Sequence, residues 1–273
     1  MIDDPAFSRL GFGVSGPHAG WAMPRHATEE LVRRAVGLGI TLFDTGPSYG
    51  KGEAERRLGR ALQTVPRDKV FVATKAGIGP RGRRDFSAGA VEMSLRASLD
   101  RLAMSHVDLL LLHGPAAAEM SDKLIRHLEA FRERGMVRYL GVCGRGDELD
   151  AAIDTGAFQA IMAPVNPGLS DTETTRLERA RAAGLRVLGI EVMAGTTRRR
   201  LPRSRSDLWY WARQTRRSLL GTAPAVPVNT PQLGLKWALE NGPADALMCL
   251  TTRHANLAEN ARLAALEARA SAS

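Results

Sequence analysis

The sequence predicts an α/β fold, a single (β/α)8 TIM barrel in which eight parallel strands close on themselves inside a ring of helices. Short apolar runs alternate with amphipathic segments eight times along the chain. Runs that are apolar on both faces are typical of a parallel sheet covered by helices, and eight repeats favour a closed barrel over an open sheet. The chain has 273 residues, and barrels of about 250 residues fold as one unit. We therefore expect residues 1–273 to form one domain.

Eight runs have the length and composition of buried strands. They are Leu10–Val14, Thr41–Asp44, Val70–Thr74, Val107–Leu112, Arg138–Val142, Ala160–Pro164, Arg186–Ile190 and Ala246–Leu250. An open dinucleotide-binding sheet is the structural alternative, but Gly11-Phe12-Gly13 lacks the third glycine that the G-x-G-x-x-G fingerprint requires. The closed barrel remains the better prediction.

Apolar residues at three- and four-residue spacing predict the helices between these strands. They are Thr28–Leu38, Glu53–Leu62, Ser87–Leu102, Ser121–Arg134, Asp147–Thr155, Asp171–Ala183, Thr230–Glu240 and a last helix from about Ala255 to Ala268. Ser87, Ser121 and Asp171 stand where N-caps are expected.

An arginine-rich insertion follows the seventh strand. The stretch Thr196–Val228 breaks the repeat and contains Trp209, Tyr210 and Trp211. We interpret it as a loop with an added helix on the catalytic face, because insertions after barrel strands lie there.

The net charge of +9 is concentrated in that insertion. From Arg198 to Arg217 there are eight arginines and one acidic residue, Asp207, which gives +7 and leaves +2 for the rest of the chain. Proteins that bind duplex DNA usually spread basic charge along a surface or helix. Local anion binding is the better interpretation, and no nucleic-acid partner is expected.

The remaining composition limits the class of protein. No apolar run approaches the roughly 18 residues of a membrane span. The acidic N-terminus does not resemble a secretory signal. Cys143 and Cys249 are too few for a disulfide framework or a structural zinc site. We expect a cytoplasmic protein that has no metal site and acts away from membranes.

Ionisable residues follow three consecutive predicted strands. Asp44, Lys75 and His113 each come directly after an apolar run, and Tyr49 lies in the next turn after Asp44. Taken singly, each residue also has a structural interpretation. These are a turn residue for Asp44, a surface lysine for Lys75, a ring packed over the barrel rim for Tyr49, and a hydrogen-bonded histidine at a tight turn for His113. Barrel enzymes carry their chemistry at the carboxyl ends of the strands, so the four together indicate one site.

The four side chains suit the protonation of a carbonyl oxygen. A phenol has a pKa of about 10 and is a poor acid at neutral pH, but an adjacent lysine favours the phenolate and lowers that pKa. An aspartate keeps the lysine charged, and a neutral imidazole can orient the carbonyl. Because no side chain supplies hydride, a cofactor has to do so.

Several motifs resemble the aldo-keto reductase family over nearly the whole chain. They are Gly39-Ile40-Thr41-Leu42-Phe43-Asp44-Thr45-Gly46-Pro47-Ser48-Tyr49-Gly50, then Gly52, Glu55 and Leu58-Gly59, then Ala73-Thr74-Lys75, Asp108–His113, Val137–Val142 and Leu257–Asn260. The resemblance implies a barrel that binds NADPH in an extended form. By this resemblance Tyr49 is the general acid, Lys75 tunes it, Asp44 pairs with Lys75 and His113 orients the carbonyl.

The cofactor positions depart from the family pattern. Cys143 and Gly144 stand where the family has a serine and an asparagine for the nicotinamide carboxamide. Met162 replaces a glutamine, and Ile190 replaces an aromatic residue that stacks on the nicotinamide ring.

The phosphate and adenine positions are partly kept. Thr251 is similar in type to a phosphate-binding residue of the family, whereas Leu250 and Asn256 are not. The phosphate ligands expected here are Arg253 and the arginines between Arg198 and Arg205, including Arg199, and those expected at the adenine are Glu259 and Asn260.

Two functions remain open. One is the NADPH-dependent reduction of a small aldehyde or ketone. The other is a catalytically silent regulatory or nucleotide-sensing protein with an eroded cofactor site. The residues expected to line a substrate pocket are Trp21, Met23, Ala116–Ala118 and Trp209–Trp211, and they suggest an apolar or aromatic carbonyl substrate.

Overall fold

The fold was analysed in a computed structural model, which describes residues 2, 4, 7–193, 202–219 and 230–270. Eight strands pair in chain order, each parallel to its neighbours, and the eighth pairs with the first. The strands are β1 (Leu10–Gly13), β2 (Leu42–Asp44), β3 (Phe71–Ala76), β4 (Val107–His113), β5 (Val137–Cys143), β6 (Ala160–Pro164), β7 (Arg186–Ile190) and β8 (Ala246–Cys249). The predicted (β/α)8 barrel is confirmed.

Helices connect the strands and cover the outside of the barrel. They are α1 (Arg25–Gly37), α2 (Glu53–Leu62), α3 (Ala88–Leu102), α4 (Asp122–Glu133), α5 (Asp147–Thr155), α6 (Asp171–Ala182), α7 (Arg205–Leu219), α8 (Pro231–Asn241) and α9 (His254–Ala270). None of the helices in these described ranges is long and apolar enough to cross a membrane.

Serine side chains cap three of these helices. Ser87 and Ser121 accept hydrogen bonds from backbone N–H groups in the first turns of α3 and α4, as predicted. The prediction for α6 was wrong by one residue, because Ser170 is the cap and Asp171 is already helical. Ser170 and Glu173 form a capping box, in which each side chain binds the other residue's backbone N–H.

The strands bury side chains on both faces. The barrel interior is filled by one cluster that includes Phe71, Leu109, Leu111 and Met162, and a larger cluster packs between the sheet and the helices. This two-sided burial explains why the strands read as nearly continuous apolar runs.

Helix α7 is the added element between β7 and α8. It lies inside the stretch that was interpreted as a loop with a helix, and it carries Trp209 to Trp211. Residues 194–201 and 220–229 lie outside the described residues, so the insertion as a whole stays a prediction.

Candidate active site

Asp44 and Lys75 form a buried ion pair at the carboxyl end of the barrel. Asp44 ends β2, and Lys75 is the next-to-last residue of β3, which is longer than predicted. The Nζ atom of Lys75 donates hydrogen bonds to Oδ1 of Asp44 and, at 2.9 Å, to the backbone carbonyl of Thr45. Lys75 is only 1% exposed, so these acceptors replace the water that its ammonium loses on burial.

Tyr49 lies in the turn between β2 and α2, where two glycines allow close packing. A Cβ atom on Gly46 would lie 3.3 Å from Cε2 of Tyr49. Gly50 has a φ of +59°, and a Cβ atom there would lie 1.8 Å from the carbonyl oxygen of Ala19. The ring of Tyr49 is thereby brought over Lys75, whose Nζ atom is 5.1 Å from the ring centroid.

His113 ends β4 and faces Tyr49 across the barrel mouth. Their ring centroids are 5.9 Å apart and the ring planes are nearly perpendicular. The Nδ1 atom of His113 is buried and makes no hydrogen bond within the described part of the chain. The structure therefore brings together all four side chains that the sequence singled out.

Burial and charge set the protonation states of the pair and of His113. Burial lowers the pKa of Lys75, but the charge and hydrogen bond of Asp44, together with Tyr49 and Cys143, raise this pKa by more, so Lys75 stays charged. Burial lowers the pKa of His113 to about 3, helped by the positive charges of Lys75, Arg84 and Arg145. His113 is a neutral imidazole at neutral pH, as expected from the sequence.

The pKa of Tyr49 moves opposite to the sequence-based expectation. Burial raises the pKa of its hydroxyl, and the nearby Lys75 charge lowers it by less. Composition and spacing do not reveal how deeply a ring is buried, which is why the sign of the net shift was missed. The consequence is a tyrosine that keeps its proton until it has an acceptor.

A cavity of about 330 Å³ opens beside Tyr49. Its wall includes Ser48 and two indole rings, those of Trp21 and Trp209. Trp209 packs against Gly16, where a Cβ atom would lie 2.7 Å from the indole.

The other residues expected at the substrate pocket lie elsewhere. Met23 is buried in the core, and Ala116–Ala118 are exposed after β4. Trp211 is 43% exposed on α7. None of these residues is among those lining the cavity beside Tyr49.

Cys143 of β5, Met162 of β6 and Ile190 of β7 have side chains that consist only of sulfur and hydrocarbon groups. Cys143 is paired in register with His113 on one side and Met162 on the other, and the side chains of Cys143 and Met162 are buried. Ile190, the last residue of β7, packs partly buried against the same interior cluster. Burial raises the pKa of the Cys143 thiol to about 11, so it is a packed thiol rather than a thiolate.

Gly144 follows Cys143 and packs against an acidic side chain. Its backbone N–H donates to the carbonyl of Met162, at 2.9 Å. A Cβ atom on Gly144 would lie 2.3 Å from Oε1 of Glu148, whose carboxylate accepts a hydrogen bond from the backbone N–H of Arg145. Glycine at this position therefore makes room for Glu148.

An ion pair joins the loops after β5 and β7. Both terminal nitrogens of Arg145 donate to the carboxylate of Glu191, each at 3.1 Å. Glu191 has a φ of +55°, which is uncommon outside glycine. This pair was not predicted from the sequence, because neither residue belongs to a recognisable motif.

The turn after β8 and helix α9 contain the described residues that were expected at the phosphate and the adenine. Thr251 is buried, and its Oγ1 accepts a hydrogen bond from the backbone N–H of Arg253. Arg253 donates to Oδ1 of Asp207 at 2.7 Å. In α9, Asn260 is buried, and Oε2 of Glu259 accepts a hydrogen bond from Gln232 at 3.1 Å. Arg199 lies outside the described residues.

These surroundings fit the nucleotide that the resemblance implies. The Arg253 guanidinium in the turn after β8 is a potential anion ligand, and in this structure it binds the Asp207 carboxylate. Buried apolar side chains at Cys143 and Met162, with the partly buried Ile190, suit the face of a flat ring. The amide contacts of the family pattern have no counterpart in these three side chains.

Two buried networks that were not evident from the sequence support the site. The Glu55 carboxylate of α2 accepts hydrogen bonds from Oγ1 of Thr74, at 2.7 Å, and from Nε of Arg101, at 2.6 Å. It ties the helix that follows the Tyr49 turn to the residue before Lys75. Glu55 is one of the residues that carry the family resemblance. It has no predicted catalytic or cofactor role, and its presence in the motif is the signal that could have indicated a structural role.

The second network joins the β1 loop to the end of β8. The Nε2 atom of His18 donates to the carbonyl of Thr251 at 2.9 Å, and Nδ1 lies 3.3 Å from Oγ1 of Thr28. Burial lowers the pKa of His18 to about 4, so the ring is neutral.

Comparison with known proteins agrees with this geometry. The chain is 34% identical over 175 residues to L-galactose dehydrogenase of Arabidopsis thaliana, covering 60% of this chain and 50% of the relative. It is 27% identical over 275 residues to D-threo-aldose 1-dehydrogenase of a Pseudomonas species, covering 87% and 83%. The chain spans about half the length of the first curated relatives it matches.

The fold has solved counterparts. An aldo-keto reductase from Bacillus halodurans, solved in its holo form, superposes with a TM-score of 0.74 at 20% identity, covering 96% of this chain and 89% of that one. At that sequence identity the structural similarity is evidence for the fold only. The model of the aldo/keto reductase family matches residues 9–271, a range that includes the whole barrel and the four site residues. The chain therefore belongs to the aldo/keto reductase family.

Proposed function

We propose that this protein reduces an aldehyde or ketone to an alcohol with NADPH. One observation carries the proposal: the Tyr49 ring is held over the buried Lys75–Asp44 pair and faces a neutral His113. The two dehydrogenases that this chain resembles are named for the oxidation of sugars, and the reverse of such a reaction is a carbonyl reduction.

Tyr49 is the proposed general acid. Its raised pKa keeps the hydroxyl protonated at neutral pH, so the O–H bond breaks only when the carbonyl oxygen gains negative charge and takes the proton. Hydride for the carbonyl carbon is what NADPH supplies when bound. The resulting phenolate of Tyr49 is stabilised by the Lys75 ammonium, which Asp44 keeps charged.

His113 is proposed to orient the substrate. A neutral imidazole donates one hydrogen bond without adding a positive charge beside Lys75. Its place across from Tyr49 would let both side chains reach one carbonyl oxygen.

The proposed cofactor residues form two groups. Those for the nicotinamide ring are Cys143, Gly144, Met162 and Ile190. Those for the phosphates and adenine are Arg199, Thr251, Arg253, Glu259 and Asn260. This division is supported by the positions of Cys143, Met162 and Ile190 in β5, β6 and β7, and of Thr251, Arg253, Glu259 and Asn260 in the turn after β8 and in α9.

The substrate proposed here is an apolar or aromatic carbonyl, because Trp21 and Trp209 flank the cavity beside Tyr49. A panel of 4-nitrobenzaldehyde, a charged keto acid and an aldose tests this choice. Turnover of the aldehyde without the keto acid would support it, and the reverse preference would contradict it. Preference for the aldose would instead align the protein with its sugar-oxidising relatives.

The test of the function itself begins with binding. Titration of the purified protein with NADPH and with NADH, followed by quenching of tryptophan fluorescence, should give micromolar or tighter NADPH binding, about −8 kcal/mol. NADPH consumption with a carbonyl substrate should follow. Failure to bind either nucleotide would overturn the proposal.

A second function has one observation in its favour. The side chains of Cys143, Met162 and Ile190 offer no amide or hydroxyl for the carboxamide of nicotinamide. A catalytically silent, nucleotide-sensing or regulatory protein would bind nucleotide weakly or not at all and would turn over no carbonyl in the same assays.

A further inference from the structure

Asp207 of α7 holds Arg253, which follows β8. Oδ1 of Asp207 accepts a hydrogen bond from Nη2 of Arg253 at 2.7 Å. The other oxygen, Oδ2, accepts from the backbone N–H of Arg203 at 3.2 Å. The Asp207 side chain is 21% exposed, and the arginine side chain is 57% exposed. The Arg253 guanidinium is therefore exposed at the surface and is already paired with a carboxylate of the same chain.

The turn that carries this arginine is well fixed. The backbone N–H of Arg253 donates to Oγ1 of Thr251, and the carbonyl of Thr251 accepts from His18. Next to it, Oγ1 of Thr252 donates to Oγ of Ser206, the residue before Asp207, at 3.2 Å. The contact between α7 and this turn therefore consists of an ion pair and a hydrogen bond between two hydroxyl groups.

The Asp207 carboxylate occupies one N–H group of the Arg253 guanidinium and offsets part of its positive charge. Carboxylate and phosphate oxygens compete for the same planar set of N–H donors. Hydrogen bonds from Ser204, Arg253 and Arg203 outweigh burial and lower the pKa of Asp207, so the carboxylate carries its charge at neutral pH. A phosphate that binds Arg253 has to displace this carboxylate or sit beside its negative charge.

We propose that Asp207 is a specificity-determining residue that competes with the phosphate of NADPH for Arg253 and so lowers the preference of this protein for NADPH over NADH. The inference rests on the proposed function, which places Arg253 among the phosphate ligands, and it takes the 2′-phosphate as the group that Arg253 binds. NADH lacks the additional phosphate, so its binding is not opposed by Asp207.

The test compares nucleotide affinities by isothermal titration calorimetry. Asp207→Asn keeps a side-chain oxygen for Arg203 and removes the charge. NADPH and 2′,5′-ADP, which carries the phosphate without the nicotinamide, should bind this variant about tenfold more tightly than wild type, a gain of about 1.4 kcal/mol. NADH should bind within about twofold of wild type. These are binding readouts and need no turnover.

Two controls separate local competition from general charge. Asp68→Asn makes the same change of net charge in the segment that leads into β3, at the opposite end of the barrel, where Asp68 pairs with Lys69. It should leave all three affinities unchanged. In an Arg253→Met background, Asp207→Asn should no longer tighten NADPH binding, because the contested guanidinium is gone.

The outcomes are distinguishable. If wild type binds NADPH and reduces a carbonyl, but Asp207→Asn leaves the ratio of NADPH to NADH affinity unchanged, the inference fails and the proposed function stands. The inference also fails, and the function still stands, if the gain persists in the Arg253→Met background. If no variant binds either dinucleotide, the proposed function fails and the inference falls with it.

Discussion

The Nζ atom of Lys75 lies 5.1 Å from the centroid of the Tyr49 ring and bonds to the carboxylate of Asp44 below it. This arrangement links a proton donor, the cation that stabilises its conjugate base, and the anion that keeps that cation charged. Asp44 lies on β2, Lys75 lies on β3 and Tyr49 lies in the turn after β2. The positions of these side chains along the barrel axis therefore depend on the register between the two strands. Asp44 and Ala73 are paired between β2 and β3, two residues before Lys75.

Removing Lys75 alone from the buried Asp44–Lys75 pair should destabilise the folded protein more than removing the charges of both residues. Lys75→Met leaves the Asp44 carboxylate buried without its cation and should lower the free energy of unfolding by about 3–5 kcal/mol. The double variant Asp44→Asn, Lys75→Met should recover a large part of this loss. Urea unfolding curves give both values. Additive destabilisation, in which the double variant loses the sum of what Asp44→Asn and Lys75→Met lose singly, would show that the pair is not coupled.

Stability should fall on acidification because of buried neutral histidines. The pKa of His113 is about 3 in the folded protein, and an unfolded histidine has a pKa of about 6.5. The unfolded state therefore binds more protons between these values, and stability is lost as pH falls from 6.5 towards 3. His113 should account for about 1–2 kcal/mol of the loss between pH 7 and pH 5.

The measurement is the free energy of unfolding against pH for wild type and for His113→Gln. The variant should show a shallower decline below pH 6.5, since its amide does not titrate. His26→Gln, at an exposed position in α1, serves as the control and should keep the slope of wild type. A slope that His113→Gln leaves unchanged would contradict the assigned protonation state.

The Tyr49 turn should tolerate no side chain at Gly50. Gly50→Ala places a methyl group 1.8 Å from the carbonyl oxygen of Ala19, so the turn has to move and carry Tyr49 with it. Gly39→Ala is the matched control, because Gly39 has a φ of +81° but nothing within 4 Å of its would-be Cβ. It should cost only about 1–2 kcal/mol for the backbone conformation.

Activity distinguishes the two glycine variants. Gly39→Ala should keep the kcat of wild type, whereas Gly50→Ala should lose at least about tenfold in kcat, since small displacements of an acid reduce its efficiency. Steady-state kinetics on the folded variants provides the check. Comparable kcat values for both would mean that the turn does not position Tyr49.

Trp209 should contribute to substrate binding. Its indole lines the cavity beside Tyr49, so Trp209→Ala should raise KM for an aromatic aldehyde by about tenfold, the loss of one good aromatic contact. Trp211→Ala, on the same helix and 43% exposed, should leave KM unchanged. A rise in KM for Trp211→Ala alone would assign the substrate to another surface.

The sequence predicted the barrel and the side chains of Asp44, Tyr49, Lys75 and His113 because both depend on local signals. Strand runs, caps and the motif around Asp44 and Tyr49 are readable within about a dozen residues. The Asp207–Arg253 contact joins residues 46 positions apart in a chain with 38 basic and 29 acidic side chains. Without the fold, nothing selects this pairing from the others.

Burial was the other property that the sequence did not reveal. The sign of the Tyr49 pKa shift depends on desolvation competing with the Lys75 charge, and both depend on three-dimensional packing. Met23 was expected in the substrate pocket because it lies in the loop after the first predicted strand, but its side chain is buried in the core.

The role of Tyr49 is tested most directly by the reduction of 4-nitrobenzaldehyde by NADPH in wild type and in Tyr49→Phe, with NADPH affinity measured on both proteins. Loss of this one hydroxyl should lower kcat by about 100-fold or more, while NADPH binding stays within about twofold of wild type. Near-wild-type turnover by Tyr49→Phe would contradict the assignment of Tyr49 as the general acid.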